Sequence, residues 1–168
     1  MLKLLVPRLA VNTIHDIEFS KLRQAGIRGI VLDLDNTIIP WNSAEICPKI
    51  VFLIKNLTDQ GFKVCLLSNN GNNRVGKIAN ICGTPYVARA LKPSQTGFRQ
   101  AIATMGLTPA EVAVVGDQLF TDVLGGNRLG LYTIWVQPLT KKEFIGTKLT
   151  RQLEKLAIYI LKLTGRIS

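Results

Sequence analysis

Two carboxylates stand at the end of an apolar run in the sequence GIVLDLDNTIIP, which covers residues 29–40. They are Asp33 and Asp35, and a carboxylate that is buried without a partner either costs several kcal/mol or takes up a proton. We therefore expect a cation beside them. Carboxylates in such a position can act as a nucleophile, transfer protons, or bind a hard divalent cation such as Mg2+. An Asx turn at the end of a strand is the alternative explanation.

Three further groups of polar residues follow along the chain. They are the run Ser68, Asn69 and Asn70, then Lys92, and finally the sequence GDQLFTD at residues 116–122. Each group alone has a structural alternative, such as a helix cap, a solvated surface cation or a turn. Together they supply what phosphate-ester hydrolysis requires, because such a site must position a nucleophile, neutralise the phosphoryl oxygens and protonate the leaving group.

Five apolar segments are predicted to be the strands that position these groups. The first of them is rich in Ile, Val and Leu without clean alternation, which is typical of a strand buried on both faces of a parallel sheet. Helical segments lie between them, and each ends at a glycine suited to a C-cap. The predicted strands are residues 28–34, 62–68, 85–88, 111–116 and 131–136, and the helical segments are PKIVFLIKNLTDQG, NRVGKIANICG and KPSQTGFRQAIATMG.

Alternating strands and helices predict an α/β fold with a doubly wound, Rossmann-like parallel sheet that has helices on both faces. In open sheets of this kind, ligands bind at the carboxyl ends of the strands. That edge would receive Asp33 and Asp35 from one strand, Ser68 from the next and Asp117 from a later one. The predicted topology therefore gathers the polar groups into one site.

Composition limits the class of protein. The 168 residues are 47% hydrophobic and 19% charged, which predicts a single globular domain. The three cysteines, Cys47, Cys65 and Cys82, lack the spacing of a disulfide framework or a zinc site, so we expect buried reduced thiols in a cytoplasmic protein. Pro7 and Arg8 interrupt the apolar amino terminus, which argues against a signal peptide. The apolar runs fall short of the roughly 20 residues that a membrane-spanning helix needs.

The carboxyl-terminal segment carries much of the formal net charge of +10. A basic amphipathic helix is predicted at about residues 145–164. Its apolar stripe would consist of Leu149, Leu153, Leu156, Ile160 and Leu163. The basic residues elsewhere around it are Lys148, Arg151, Lys155 and Lys162. Two interpretations stay open, because such a helix can pack on the sheet or lie on an anionic membrane surface.

The four polar groups have the order and spacing of the four motifs of the haloacid dehalogenase-like hydrolases, which the sequence resembles over about residues 28–135. The resemblance implies that Asp33 is the nucleophile and forms an aspartyl-phosphate. It implies that Asp35 protonates the leaving group and then activates the attacking water. An acid at position 35 favours a phosphatase, because members that stop at phosphoryl transfer often carry threonine there.

The same resemblance implies how the substrate and the metal are bound. Ser68, Asn69 and Lys92 would contact the phosphoryl group, with Lys92 neutralising its charge. Mg2+ would bind to the Asp33 carboxylate, the backbone carbonyl of Asp35, and Asp117. Finally, the resemblance implies supporting residues that do not bind the metal directly, namely Thr37 and Asp122. The glycines at 125 and 126 are expected to shape a loop.

A closer resemblance is to the YqeG family of small capless phosphatases in subclass IIIA. It rests on LDLDNTIIPWN, the two asparagines after Ser68, RALKP, and VAVVGDQLFTDVLGGNRLGLYTIWVQPL. That family is similar to phosphatidylglycerophosphate phosphatases, so the resemblance favours this lipid phosphate as substrate, in phosphatidylglycerol synthesis. A soluble phosphometabolite is the first alternative. The second is a non-catalytic protein that binds nucleic acid or the ribosome, against which the intact Asp35 and the lack of interleaved aromatic and basic residues weigh.

Overall fold

The computed structural model describes residues 2–41, 43, 45–140, 156–161 and 163–165. Six parallel strands form one sheet in the order β1-β6-β5-β2-β3-β4. The strands are β1 (Leu9–Val11), β2 (Gly29–Asp33), β3 (Lys63–Leu67), β4 (Tyr86–Val87), β5 (Val112–Gly116) and β6 (Tyr132–Val136). The predicted parallel sheet is confirmed, and β2 lies inside it with all five of its residues buried.

Helices cover both faces of the sheet, as the doubly wound prediction requires. The α-helices between the strands are α1 (Phe19–Gln24), α2 (Pro48–Asp59), α3 (Asn72–Cys82), α4 (Gln95–Met105) and α5 (Leu124–Leu129). On one face α2 and α3 pack on Ile30 and Leu32 of β2, and on the other face α4 packs on Val31. Because side chains alternate along a strand, the unbroken apolar run of β2 fills both cores at once.

Two elements near the ends of the sheet differ from the sequence prediction. Strand β1 was not predicted, and it extends the sheet by pairing in parallel with β6. Helix α5 contains Gly125 and Gly126, which were expected in a loop. A Cβ at Gly125 would lie 2.4 Å from the ring of Phe98, and one at Gly126 would lie 2.6 Å from Val114. These glycines therefore allow α5 to approach the sheet and α4 closely.

The carboxyl-terminal segment packs through a different face from the predicted leucine stripe. Residues 156–161 are helical, and Ala157 and Leu161 are buried against a cluster that contains Trp135. Leu156 and Leu163 of the stripe are exposed. The rest of the prediction for Leu149, Leu153 and the four basic residues lies outside the described residues. Among the helices that the structure describes, none has the length and hydrophobicity that a membrane crossing requires.

The cysteines also occupy different environments. Cys65 lies in β3 and is buried, and this burial raises the pKa of its thiol to about 12. Cys82 is half-buried, whereas Cys47 is exposed just before α2. The expectation of three buried thiols was therefore wrong for Cys47, because the helix begins after it and turns its side chain outward.

Candidate active site

The carboxyl edge of the sheet gathers the predicted polar residues. Asp33 is the last residue of β2 and pairs in register with Leu67, so Ser68 follows at the same edge. Asp117 directly follows β5, the neighbour of β2 on its other side. Lys92 lies in the loop between β4 and α4, and it is buried, as are Asp33, Ser68 and Asp117. Residues distant in sequence are thus placed together by strand order.

Lys92 lies between two buried carboxylates. Its Nζ is 2.5 Å from Asp33 Oδ1 and 2.7 Å from Asp122 Oδ1, and it also donates a hydrogen bond to the backbone carbonyl of Leu67. Breaking a buried pair of this kind leaves an uncompensated charge, so the arrangement holds each member in place. Lys92 therefore supplies one cation beside Asp33, in addition to the Mg2+ that the family resemblance implies there.

The pKa values of this group reflect burial first and charge second. Burial raises the pKa of the Asp33 carboxyl group to about 7, although attraction to Lys92 opposes the rise. Burial lowers the pKa of Lys92, but attraction to Asp122 and Asp33 outweighs it, so the net pKa lies above the ordinary value. Lys92 thus carries a fixed positive charge, and Asp33 is a carboxylate whose charge depends on having a cation nearby.

A threonine holds the second oxygen of Asp33. Thr37 Oγ1 donates a hydrogen bond of 3.1 Å to Asp33 Oδ2, and both side chains are buried. With Lys92 on Oδ1 and Thr37 on Oδ2, both oxygens of the carboxylate have partners. The orientation of Asp33 is therefore determined by two contacts, one from Lys92 and one from Thr37.

Three buried carboxylates form a possible metal site. Asp33, Asp117 and Asp122 each offer an oxygen, and these oxygens lie within 4.8 Å of one another. Oxygen-only donor sets suit hard cations such as Mg2+, so the residues present fit a divalent cation of this type. The cluster includes Asp122, which the sequence prediction had kept apart from the metal, and the carboxylate of Asp35 is not among its members.

Asp122 is placed by an unusual backbone. It lies in a π-helical turn, Leu119–Val123, of the kind that often occurs at functional sites. Its Oδ1 accepts from Lys92 and its Oδ2 accepts from the backbone N–H of Gln118. A Cβ at Gly116 would lie 2.3 Å from Asp122 Oδ2, so only glycine at the end of β5 leaves room for this carboxylate.

Ser68 and Asn69, two of the three residues predicted to bind the phosphoryl group, have distinct surroundings. Ser68 Oγ accepts a hydrogen bond from the backbone N–H of Asn70 at 3.1 Å. The carboxamide of Asn69 is engaged with the backbone of Lys92, accepting from its N–H at 2.7 Å and donating to its carbonyl at 3.3 Å. Asn69 thus positions the loop that carries Lys92.

Asp35 lies outside the carboxylate cluster, in the loop after β2. Its Oδ1 forms an ion pair with Arg74 Nη1 at 2.5 Å, and its Oδ2 accepts a hydrogen bond from Asn70 Nδ2. Sequence reasoning gave neither partner a role. Arg74 lies in the first turn of α3, where the helix dipole disfavours a cation, and that conflict is the signal that could have indicated a specific partner.

The comparisons with known proteins decide the family. Residues 40–130 match the family model of the haloacid dehalogenase-like hydrolases. The chain is also 36% identical to the probable phosphatase YqeG of Bacillus subtilis, over 98% of this chain and 96% of that protein. The chain belongs to the haloacid dehalogenase-like hydrolases. Together, the family model and this phosphatase relative confirm the enzyme class predicted from the sequence, a phosphomonoester phosphatase.

Other relatives of this haloacid dehalogenase-like chain are lipid phosphatases. It is 28% identical to the chloroplastic phosphatidylglycerophosphate phosphatase 1 of Chlamydomonas reinhardtii, over 90% of this chain and 60% of that protein. It is 29% identical to the mitochondrial phosphatidylglycerophosphatase of Saccharomyces cerevisiae, over 78% of this chain and 77% of that protein. The resemblance to this group of phosphatases that the motifs indicated is therefore confirmed.

Solved structures share the fold of the haloacid dehalogenase-like family. An uncharacterized protein from Listeria monocytogenes serotype 4b superposes with a TM-score of 0.57 at 18% identity, over 70% of this chain and 85% of that chain. A putative hydrolase of the family from Streptomyces avermitilis superposes with a TM-score of 0.52 at 20% identity, over 65% of this chain and 66% of that chain. The α/β architecture is common to all three.

Proposed function

We propose that the protein hydrolyses a phosphate monoester through a covalent phosphoryl-Asp33 intermediate, with Mg2+ as its cofactor. The observation that carries this proposal is the buried contact of Lys92 with both Asp33 and Asp122 at the carboxyl edge of the sheet. A nucleophile that is oriented on both oxygens and lies beside a fixed cation fits attack on a phosphate.

The first half of the reaction uses Asp33, Lys92 and Asp35. Asp33 attacks phosphorus, the bond from phosphorus to the ester oxygen breaks, and Asp35 gives its proton to the departing alkoxide. Lys92 offsets the negative charge on the phosphoryl oxygens, and Ser68 contributes a hydroxyl beside them. Asp33, the backbone carbonyl of Asp35, and Asp117 would hold Mg2+. When bound, the ion supplies positive charge that allows the phosphate to approach the carboxylate.

The second half of the reaction returns Asp33 to its starting state. Water attacks the phosphoryl group, the bond between phosphorus and Asp33 oxygen breaks, and Asp35 accepts the proton of the water. Asp35 is then protonated again and can act as the acid in the next turnover. The overall balance is one ester and one water converted into one alcohol and one phosphate.

Phosphatidylglycerophosphate is the substrate we propose. It is supported by the lipid phosphatases among the relatives and by the lack of a cap domain among the described residues. In the described part of the chain, a loop joins β2 to α2, and only α3 and β4 lie between Ser68 and Lys92, so no cap domain covers the site there. An open site suits a phosphate presented on a large object or a surface.

The test is a phosphatase screen that contains phosphatidylglycerophosphate in mixed micelles beside soluble phosphate esters, with Mg2+ or with a chelator. We expect hydrolysis of the lipid phosphate that requires Mg2+ and is lost in Asp33→Asn. Asp59→Asn is the matched control, because it makes the same chemical change at an exposed position at the end of α2. Efficient hydrolysis of a soluble ester with none of the lipid would move the proposal to a soluble phosphometabolite.

We further propose that the protein is cytoplasmic and makes peripheral contact with an anionic membrane. Its net charge of +10 and its exposed Leu156, Tyr159 and Leu163 support this. The protein should sediment with anionic liposomes at low salt and be released as salt rises. Reversing the charges of Lys148, Arg151 and Lys155 should weaken sedimentation and leave hydrolysis of a soluble ester unchanged. Equal recovery in the supernatant with neutral and anionic liposomes would contradict the membrane contact.

A further inference from the structure

The guanidinium of Arg74 connects Asp35 to a neighbouring loop. Nη1 lies 2.5 Å from Asp35 Oδ1, while Nε and Nη2 donate hydrogen bonds of 3.1 and 2.9 Å to the backbone carbonyl of Ser43. Arg74 thus uses several of its N–H groups at once, and its side chain is only 21% exposed. A planar, five-donor guanidinium can make such contacts simultaneously, whereas the single ammonium of a lysine cannot.

Asp35 depends on these contacts for its orientation. Asp35 lies in the loop after β2, where its backbone forms an isolated β-bridge with Ile39. Its side chain receives an ion pair from Arg74 and a hydrogen bond from Asn70, one on each oxygen. The direction in which the carboxylate points is therefore set by residues of another segment, and not by packing within the sheet.

Helix α3 provides a rigid base for Arg74. Val75, Ile78 and Ala79 of this helix are buried in the core, so the helix cannot shift without disturbing the packing. Functional side chains carried by packed helices are held more accurately than those on loops. Arg74 occupies the first turn of the helix, where the dipole opposes a positive charge. Its pairing with Asp35 and with the carbonyl of Ser43 offsets that opposition.

We propose that Arg74 is a positioning residue that holds the Asp35 carboxylate at the angle needed for proton transfer to the leaving group. This inference rests on the proposed function, in which Asp35 is the acid. Arg74 acts through Asp35 and does not contact the reacting phosphate. Because this pair is largely buried, loss of Arg74 is also expected to lower stability, so the test reads the dependence of the rate on the leaving group and not the rate alone.

The experiment compares esters that differ in their need for an acid. The value of kcat/KM is measured for 4-nitrophenyl, phenyl and benzyl phosphate, since nitrophenolate departs without protonation and an alkoxide does not. In Arg74→Met we expect a loss of about 10-fold to 100-fold with benzyl phosphate, below the full effect of a general acid, and less than about threefold with the nitrophenyl ester. Arg74→Lys should lie between this variant and the parent protein.

Two controls separate positioning from other effects. Lys77→Met removes a positive charge from an exposed position on the same helix and should leave all three rates unchanged. Asp35→Asn should show the same dependence on the leaving group as Arg74→Met, only larger. The double variant should lose no more than Asp35→Asn alone, because residues that act through one another are not additive.

The outcomes distinguish a failure of the positioning role from a failure of the proposed function. Suppose that Asp35→Asn shows the dependence on the leaving group. The positioning role of Arg74 is then overturned if kcat/KM falls equally for all three esters in both Arg74 variants, or does not fall at all. An Asp35→Asn variant with no dependence on the leaving group would overturn the acid role of Asp35, and the role of Arg74 with it. Thermal unfolding of each variant shows whether Arg74→Met is folded. If it is not, the rates of Arg74→Lys decide between these outcomes.

Discussion

Asp33 and Asp35 are separated by one residue and have different partners and different degrees of burial. Asp33 ends a fully buried strand and is held by Lys92 and Thr37, both of which are buried. The side chain of Asp35 is 14% exposed, and its partners come from the segment that begins α3. Environment can give identical side chains different chemical roles. Here a fully buried charge network suits a nucleophile, and a partly exposed position at the rim of the site suits an acid that exchanges protons.

The greatest loss of activity should come from replacing Asp33, the proposed nucleophile. Asp33→Asn should lower turnover of any phosphate monoester by at least about 10⁴-fold, because a neutral amide cannot attack phosphorus. Steady-state hydrolysis of 4-nitrophenyl phosphate measures this loss, with Asp59→Asn as the control. Wild-type turnover in Asp33→Asn would remove Asp33 from the nucleophile role.

The acid at the rim should matter less than the nucleophile. Asp35→Asn is expected to lower kcat by about 10²-fold to 10⁴-fold, the range of general acid–base catalysis, because both the leaving alkoxide and the attacking water lose their proton partner. Circular dichroism should show an unchanged fold, since the described partners of the Asp35 side chain, Arg74 and Asn70, lie at the start of a helix and in a loop. Unchanged kinetics would show that the two carboxylates do not divide the work in this way.

Replacing Lys92 tests whether Asp33 depends on a buried cation for activity and for stability. Lys92→Ala should lower kcat by about 10²-fold to 10³-fold, as expected for the loss of one preorganised electrostatic contact. It should also lower the free energy of unfolding by about 3–5 kcal/mol, because Asp33 and Asp122 are left buried without their cation. Chemical denaturation measures the second effect. An exposed lysine, Lys77→Ala, should change neither quantity, and equal behaviour of the two variants would mean that Lys92 is not part of a buried network.

A weaker effect concerns pH and the stability of metal-free protein. The pKa of Asp33 is raised to about 7 in the folded state, so the folded state binds this proton more tightly than the unfolded chain does. The resulting stabilisation is full below the ordinary carboxyl pKa of about 4 and is lost as pH rises through about 7. The difference in unfolding free energy between the parent protein and Asp33→Asn, measured with a chelator, should follow this curve. A difference that is constant with pH would contradict it.

The fold could be predicted where the pattern is local. The long apolar runs of β2, β3, β5 and β6, and the helices that end at glycines, follow from residue types alone. Strand β1 has only three residues and follows a proline, so it has no local signal and forms because β6 offers an edge to pair with. The helix that contains Gly125 and Gly126 was missed for a similar reason, since its glycines are explained by contacts with distant side chains.

The site could be predicted only in part. Asp33, Ser68 and Asp117 lie at one edge because the strands are parallel, which the sequence indicates, whereas the order of the strands comes from the structure. The contact of the Asn69 carboxamide with the backbone of Lys92, and the pairing of Arg74 with Asp35, depend on how loops fold back across the edge. The periodicity of the sequence carries no such information, because these partners lie in different segments of the chain and are brought together only by the completed sheet.

The proposed mechanism requires that Asp33 carries the phosphoryl group and that Asp35 is needed to release it. Both requirements are tested by incubating Asp35→Asn with 4-nitrophenyl phosphate and Mg2+, reducing the quenched protein with borohydride, and mapping the peptides by mass spectrometry. Reduction of an aspartyl-phosphate converts the side chain to that of homoserine, and the mechanism predicts this change at position 33. Modification at a different residue, or continued turnover with no modified peptide, would contradict it.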